Sequence, residues 1–246
     1  MLSKDANLAT KSQLVGDVWE ETCRMNAQQP ERVLFLLDVD NTLLDNDQIE
    51  RDLSVHLTEV FGREACDRYW SILEQLRAEL GYADFLGALQ RYRAEHVHDP
   101  HILEMSSFLV DYPFADRLYP KALDLVTQLK REWAVTIFSD GDAVFQPRKV
   151  ESSGLWKAVD GRVLIYIHKE QMLDDVERRY PANDYVFVDD KLRLLNAVKQ
   201  HWGRRVTTVF PRQGHYANAP SVNEYPPADI TIEHIGDLAA YLQSFR

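Results

Sequence analysis

Cysteine is nearly missing from this sequence: Cys23 and Cys66 are the only two among 246 residues. They make neither a disulfide framework nor a CxxC metal motif, which excludes stapled secreted domains and the common zinc modules. Both read as small apolar fillers. No apolar run approaches the roughly 20 residues a membrane-spanning helix needs, and no signal-peptide pattern opens the chain. The expectation is a reduced, cytoplasmic protein with no membrane partner. Basic residues are also in deficit, 28 Lys and Arg against 39 Asp and Glu, for a net charge of −11. That leaves no broad basic face for nucleic acid, although a local cluster of Lys, Arg or metal can still hold a small anion. Internal repeats and low-complexity tracts are lacking.

What is present suffices for a folded core: 45% hydrophobic and 11% aromatic residues, in a length that suits one large α/β domain or a core with a smaller second unit. Leu14, Val15, Val18, Trp19 and Cys23 recur at helical spacing and predict a helix near 11–27. Trp19 is expected to pack on the core or on a second subunit, which leaves a homodimer open. Residues 33–37 are short and wholly apolar, as a buried parallel strand requires. From 48 to about 109 the apolar spacing is helical, punctuated by Gly62, Gly81 and "HDP". The α/β rhythm then returns, with a helix over 120–131 and strands at 134–138, 163–167, 185–188, 206–210 and 230–232. Strands alternating with helices imply a parallel, doubly wound, Rossmann-like sheet with right-handed crossovers. The expected organisation is a helical leader at 1–31, a core at 32–46 and 116–246, and an inserted α-helical unit at 47–115.

The stretch "VLFLLDVDNTLLDND" runs five apolar residues into four aspartates. Carboxylates crowded at the end of a buried strand repel one another, so something positive belongs there. Asp38, Ser139, Lys169 and the Asp189–Asp190 pair all follow the carboxyl end of a predicted strand, the edge where open parallel sheets bind ligands. A calcium loop is excluded: Leu43 and Ile49 stand where that loop needs glycine and glutamate. Mg²⁺ fits better, since it takes few protein ligands and leaves room for water and phosphate. Asp38 and one of Asp189 and Asp190 would bind it. Asp38 could then act as a nucleophile, forming an aspartyl-phosphate. Asp40 could protonate the leaving group and activate water. Ser139 and Lys169 would hold the phosphoryl oxygens.

These residues resemble the motifs of the haloacid dehalogenase superfamily of hydrolases. "DVDNT" after "VLFLL" is similar to its first motif, Ser139 after "AVTIF" to its second, Lys169 to its third and "VFVDD" to its fourth. Gln146 and Lys149 stand at the usual places in the segment after motif two. The resemblance implies a Rossmann-like core with a small helical cap, and Mg²⁺ held by Asp38, the Asp40 backbone carbonyl and Asp190, with Asp189 in support. It implies Asp38 and Asp40 as nucleophile and acid/base, and Ser139, Asp140, Gly141 and Lys169 around the phosphoryl group. Leu194 departs from the pattern, standing where the family often has Asp or Asn. A carboxylate two residues after the nucleophile, Asp40, favours a phosphatase over a dehalogenase. The expected activity is hydrolysis of a small phosphorylated metabolite, with a phosphomutase or a non-catalytic phospholigand binder as alternatives.

Other polar residues are read as structural. Lys191, Arg193, Arg204 and Arg205 are expected on a solvated face, and His168 is expected to point away from Lys169. The stretch 211–220, with Arg212, His215 and Tyr216, reads as a connecting loop. Tyr69, Trp70, Tyr82 and Tyr92 read as the interior of the helical unit.

Overall fold

Six strands form one parallel sheet in the order β3-β2-β1-β4-β5-β6. They are β1 Glu31–Leu37, β2 Ala134–Asp140, β3 Val163–Tyr166, β4 Ala182–Val188, β5 Val206–Pro211 and β6 Ile230–Ile232. A computed structural model describes residues 31–246; the helix expected at 11–27, with Trp19 and Cys23, lies outside the described residues. Helices α1 Asn46–Phe61, α2 Arg63–Leu80, α3 Phe85–Glu95 and α4 Ile102–Val110 separate β1 from β2 in the chain. Then follow α5 Ala122–Leu129, α6 Phe145–Ser152, α7 Leu155–Ala158, α8 Leu173–Arg179, α9 Leu192–Trp202 and α10 Gly214–Ala217. Among the described residues no helix is long and apolar enough to cross a membrane.

Alternation along β1 distributes its side chains to two apolar layers, because successive strand residues face opposite ways. Phe35 and Leu37 join Val135, Ile137, Val186 and Val188 on one face. That layer continues without a break into Ile49, Leu53, Tyr69 and Leu73 of α1 and α2. Leu34 and Leu36 point the other way, onto Phe138, Phe187 and the apolar sides of α8 and α9. With both faces covered, β1 is apolar at every position from Val33 to Leu37.

Strands β1, β2, β4 and β5 run longer than the apolar pattern predicts. β2 continues through Ser139 and Asp140, which pair with Ile165 and Tyr166 of β3. β4 begins at Ala182, and its Asn183 and Asp184 are exposed, so solvated polar positions hide the strand start from the sequence pattern.

The helical segment is punctuated by local chemistry. Asp45 caps α1 by accepting from the Gln48 N–H at 2.9 Å, and Asp84 caps α3 through the Gly87 N–H at 2.7 Å. Gly81 ends α2 in the left-handed conformation. Where the chain returns from the helices, Arg117 donates to Asp52 of α1 at 2.8 Å and to the Tyr112 hydroxyl at 2.7 Å, and that hydroxyl also bonds Asp52. Burial and the Asp52 carboxylate push the Tyr112 hydroxyl up to about 12.

Candidate active site

β1 and β4 are neighbours, with Leu37 level with Val188. β2 and β3 extend to one side of this pair and β5 and β6 to the other. The order reverses here, and at such a switch point the chains leaving adjacent strands part and open a crevice. Asp38 follows β1, and Asp189 and Asp190 follow β4. One oxygen from each of the three lies within 4.8 Å of the others, and all three side chains are buried.

Lys169 answers part of this charge. Its Nζ donates to Asp38 Oδ1 at 2.5 Å, pairs with Asp189 Oδ2 at 2.6 Å and reaches the Phe138 carbonyl at 3.1 Å. Burial opposes its charge, but Asp189, Asp38 and Asp140 outweigh it and hold the ammonium protonated above the usual lysine range. Thr42 fixes the geometry from the other side: its hydroxyl donates to Asp38 Oδ2 at 3.3 Å and accepts from the Asp190 N–H at 3.1 Å. Asp189 is further held by the Lys191 N–H at 2.8 Å. The Asp190 carboxylate is different. Both its oxygens are buried without a hydrogen-bond partner, and burial raises its pKa well above the ordinary value.

A buried carboxylate with no donor is unfavourable unless a cation answers it. Three convergent carboxylates, one wholly unpartnered, make an all-oxygen donor set that suits a hard divalent ion. Asp38, Asp189 and Asp190 fit such an ion. The Leu194 position offers nothing to it, because that side chain is fully buried in the apolar layer under α9.

The four aspartates of the opening stretch thus have separate tasks. Asp38 joins the cluster and Asp45 caps α1. Asp40 turns away from the cluster to Lys149 Nζ at 2.7 Å, with Gln146 Nε2 at 3.4 Å from its other oxygen. Asp47 accepts from Asn41 Nδ2 at 2.9 Å and lies 2.6 Å from His215 Nδ1. Lys149 is itself buried and also donates to Asn46 Oδ1 at 2.9 Å. Gln146 donates to Ser139 Oγ at 2.9 Å. A Cβ on Gly141 would fall 2.5 Å from the Gln146 side chain, so the turn after β2 closes only over a glycine. Asp140 accepts from the Lys169 N–H at 2.7 Å, and burial raises its carboxyl pKa.

A cavity of about 390 Å³ opens beside Asp40, walled on one side by the β2, β4 and β5 loops and on the other by α1, α2 and the α2–α3 turn. It corrects several sequence expectations. Lys191 lines it half-buried, because the turn after Asp190 brings the start of α9 to the crevice, whereas Arg193 at its edge is exposed, as expected. Arg205 lies elsewhere, paired with Glu177 at 2.9 Å. His215 and Tyr216 form part of the wall, on the one-turn helix α10, so 211–220 is more than a connector; Arg212 pairs with Glu233 at 3.8 Å. Tyr82 faces the cavity, whereas Tyr69 and Tyr92 are buried in the helical interior. His168 packs over Gly81 of the α2–α3 turn. Gln146 and Lys149 stand at the places the family resemblance marks, whereas Thr42 and Gln213 carry no sequence signal of their own; Gln213 is buried and donates to the Thr42 carbonyl at 3.1 Å. For Lys149 and Gln146 a signal existed in their helical spacing, three residues apart on one side of α6.

No family model and no curated protein matches the chain. Solved structures do. A haloacid dehalogenase-like hydrolase from Burkholderia xenovorans LB400 is 58% identical, with a TM-score of 0.84 over 88% of this chain and 99% of that one. The HAD-hydrolase YfnB of Bacillus subtilis, bound to magnesium, is 16% identical with a TM-score of 0.59, over 87% of this chain and 100% of its own. L-2-haloacid dehalogenase from Xanthobacter autotrophicus is 18% identical with a TM-score of 0.58, over 89% of this chain and 100% of its own. The last two likenesses are of fold alone.

Proposed function

Because the chain belongs to the haloacid dehalogenase-like hydrolases, we propose that it hydrolyses a small phosphate monoester with Mg²⁺ bound by Asp38, Asp189 and Asp190. The single observation that carries this reading is the Asp190 carboxylate, buried with both oxygens unpartnered beside Asp38 and Asp189. The magnesium-bound state of the fold relative from Bacillus subtilis points the same way. When bound, the ion would neutralise the carboxylates and the phosphate oxygens next to them.

The remaining chemistry belongs to the chain. Lys169 and Thr42 hold Asp38 aimed, one oxygen taking each donor. Asp38 attacks phosphorus, the ester P–O bond breaks, and an aspartyl-phosphate forms. Asp40, positioned by Lys149 and Gln146, gives a proton to the departing alkoxide and then takes one from the water that hydrolyses the aspartyl-phosphate. Such acid–base assistance contributes roughly 10²–10⁴-fold. Ser139 and the turn through Asp140 and Gly141 receive the phosphoryl oxygens, with Lys169 neutralising charge as it spreads over them. Helices α1–α4 act as a cap that excludes bulk water.

Asp40 separates this reading from dehalogenation, which needs no proton donor for a departing halide. The test is release of inorganic phosphate from a chromogenic aryl phosphate, with and without Mg²⁺. Asp38→Asn is expected to lower turnover by about 10³-fold or more while circular dichroism is unchanged. Undiminished turnover in that variant overturns the proposal, and so does halide release from 2-haloacids without phosphate release; isomer formation from a sugar phosphate without phosphate release would assign a mutase.

A further inference from the structure

We infer that the cavity carries a second anion site built on Lys191, so that the substrate is a phosphate monoester bearing a further anionic group, a carboxylate or a second phosphate. The inference rests on the phosphatase reading for the reacting group only.

The argument is one of charge accounting. Four cationic side chains and one histidine line the cavity: Arg77, Lys149, Lys191, Arg193 and His215. Four have acidic partners. Lys149 holds Asp40 at 2.7 Å, Arg193 holds Glu170 at 3.2 Å, Arg77 lies 3.5 Å from Glu50, and His215 lies 2.6 Å from Asp47. Among the described residues, the Lys191 ammonium alone of the five makes neither an ion pair nor a hydrogen bond. Its Nζ instead sits over the ring of Tyr216, 4.8 Å from the centroid. The cation–π contact holds the ammonium in place without cancelling its charge.

That ring is itself anchored. Tyr216 packs on His215 with centroids 3.9 Å apart, and His215 is tied to Asp47 in the first turn of α1. The stack therefore spans from α10 to the helical segment, and it presents Lys191 from a braced position. The local field reinforces its sign. Lys191 stands at the N-terminus of α9, whose first turn carries no acidic residue and no side-chain cap, so the helix dipole adds to the positive potential there. The buried carboxylates of Asp190, Asp38 and Asp189 act on the Lys191 ammonium through space but make no direct ion pair or hydrogen bond with it, and an ion bound by all three would answer them and leave the ammonium to the ligand. A half-buried, braced ammonium with no direct ion pair, in a cavity of this size, is placed to take an anion delivered by the ligand.

Non-hydrolysable phosphonates test this without depending on turnover. In Mg²⁺-containing buffer, calorimetry would compare alkylphosphonates with ω-carboxyalkylphosphonates and α,ω-bisphosphonates of two to four carbons. The folded wild-type chain is expected to bind the best-spaced dianionic probe about tenfold or more tightly than the alkyl probe of equal length. Lys191→Met should collapse that preference to less than about threefold, and Lys191→Arg should retain most of it. Preference for the carboxylate series identifies a carboxylate substrate; preference for the bisphosphonate series identifies a second phosphate. No preference at any length overturns the inference. So does a Lys191→Met variant that weakens every probe by one common factor, because Lys191 would then serve the metal cluster. If the matching phosphate esters bind with the preference but release no phosphate, the hydrolase reading fails while the anion site stands.

Discussion

Lys149 and Asp40 meet at 2.7 Å, and the same ammonium reaches the first residue of α1, Asn46, at 2.9 Å. A side chain 109 positions away in sequence thus orients the carboxylate two residues after Asp38. Lys149 is 1% exposed, and the Phe145 ring lies 5.3 Å from its Nζ.

Removing this ammonium should impair proton transfer more than substrate binding. Lys149→Met is expected to lower kcat/KM for aryl phosphates about 10–100-fold. The loss should grow as the leaving phenol becomes more basic, since poor leaving groups depend most on an aimed proton donor. A plot of rate against leaving-group pKa checks this: a steeper slope than wild type supports a positioning role, and a uniform drop across the series means that Lys149 serves structure alone.

The Asp190 carboxylate should make the metal-free protein less stable than its neutral counterpart. Burial raises the Asp190 and Asp189 carboxyls above their ordinary values. An acid raised by folding contributes stability that is present below the unfolded carboxyl range, about pH 4, and is lost as pH rises through the folded values. Asp190→Asn is therefore expected to stabilise the metal-free chain at pH 8 by roughly 1–3 kcal/mol, a Tm rise of several degrees, with a smaller gain at pH 4. Mg²⁺ should raise the wild-type Tm at pH 8, as a ligand of the folded state does, and should do so far less in the variant. Calorimetric scans at both pH values, with EDTA or Mg²⁺, measure all of these shifts.

Gly214 and Asn41 approach each other through two left-handed residues, at φ 68° and 59°. A Cβ on Gly214 would fall 2.5 Å from the Asn41 Cβ, beside Asp40. Gly214→Ala should cost about 1–3 kcal/mol through strain and displacement and lower kcat as Asp40 shifts. Gly154→Ala is the control. It has a comparable φ of 84° but no atom within 4 Å of the new Cβ, so it pays only the backbone term of about 1 kcal/mol and should leave turnover per folded molecule near that of wild type.

Much of the fold was legible in the sequence because its signals are local. The apolar run 33–37, the helical spacing from Gln48 to about Leu109, and the later alternation of strands and helices each follow from one segment's own burial pattern. Asp38, Ser139, Lys169 and Asp189–Asp190 could be placed at strand ends for the same reason. The segment 48–109 is likewise helical in the structure, with breaks at Gly62 and Gly81 as its glycines suggest.

Tertiary structure decided which neighbour each of those side chains met. Strand order set β4 beside β1 and brought Asp190 against Asp38 across about 150 residues of chain. Whether an aspartate caps a helix, pairs with a lysine or remains unpartnered depends on donors from remote segments. Asp45, Asp40 and Asp190 show all three outcomes, though their residue type is the same. The lysines diverge for the same reason. Lys169 and Lys149 find carboxylates, while Lys191, one residue from Asp190, finds an aromatic ring and an open cavity. Periodicity is a property of one segment, so a sequence displays it; charge pairing is a property of several segments at once, so only their packing determines it.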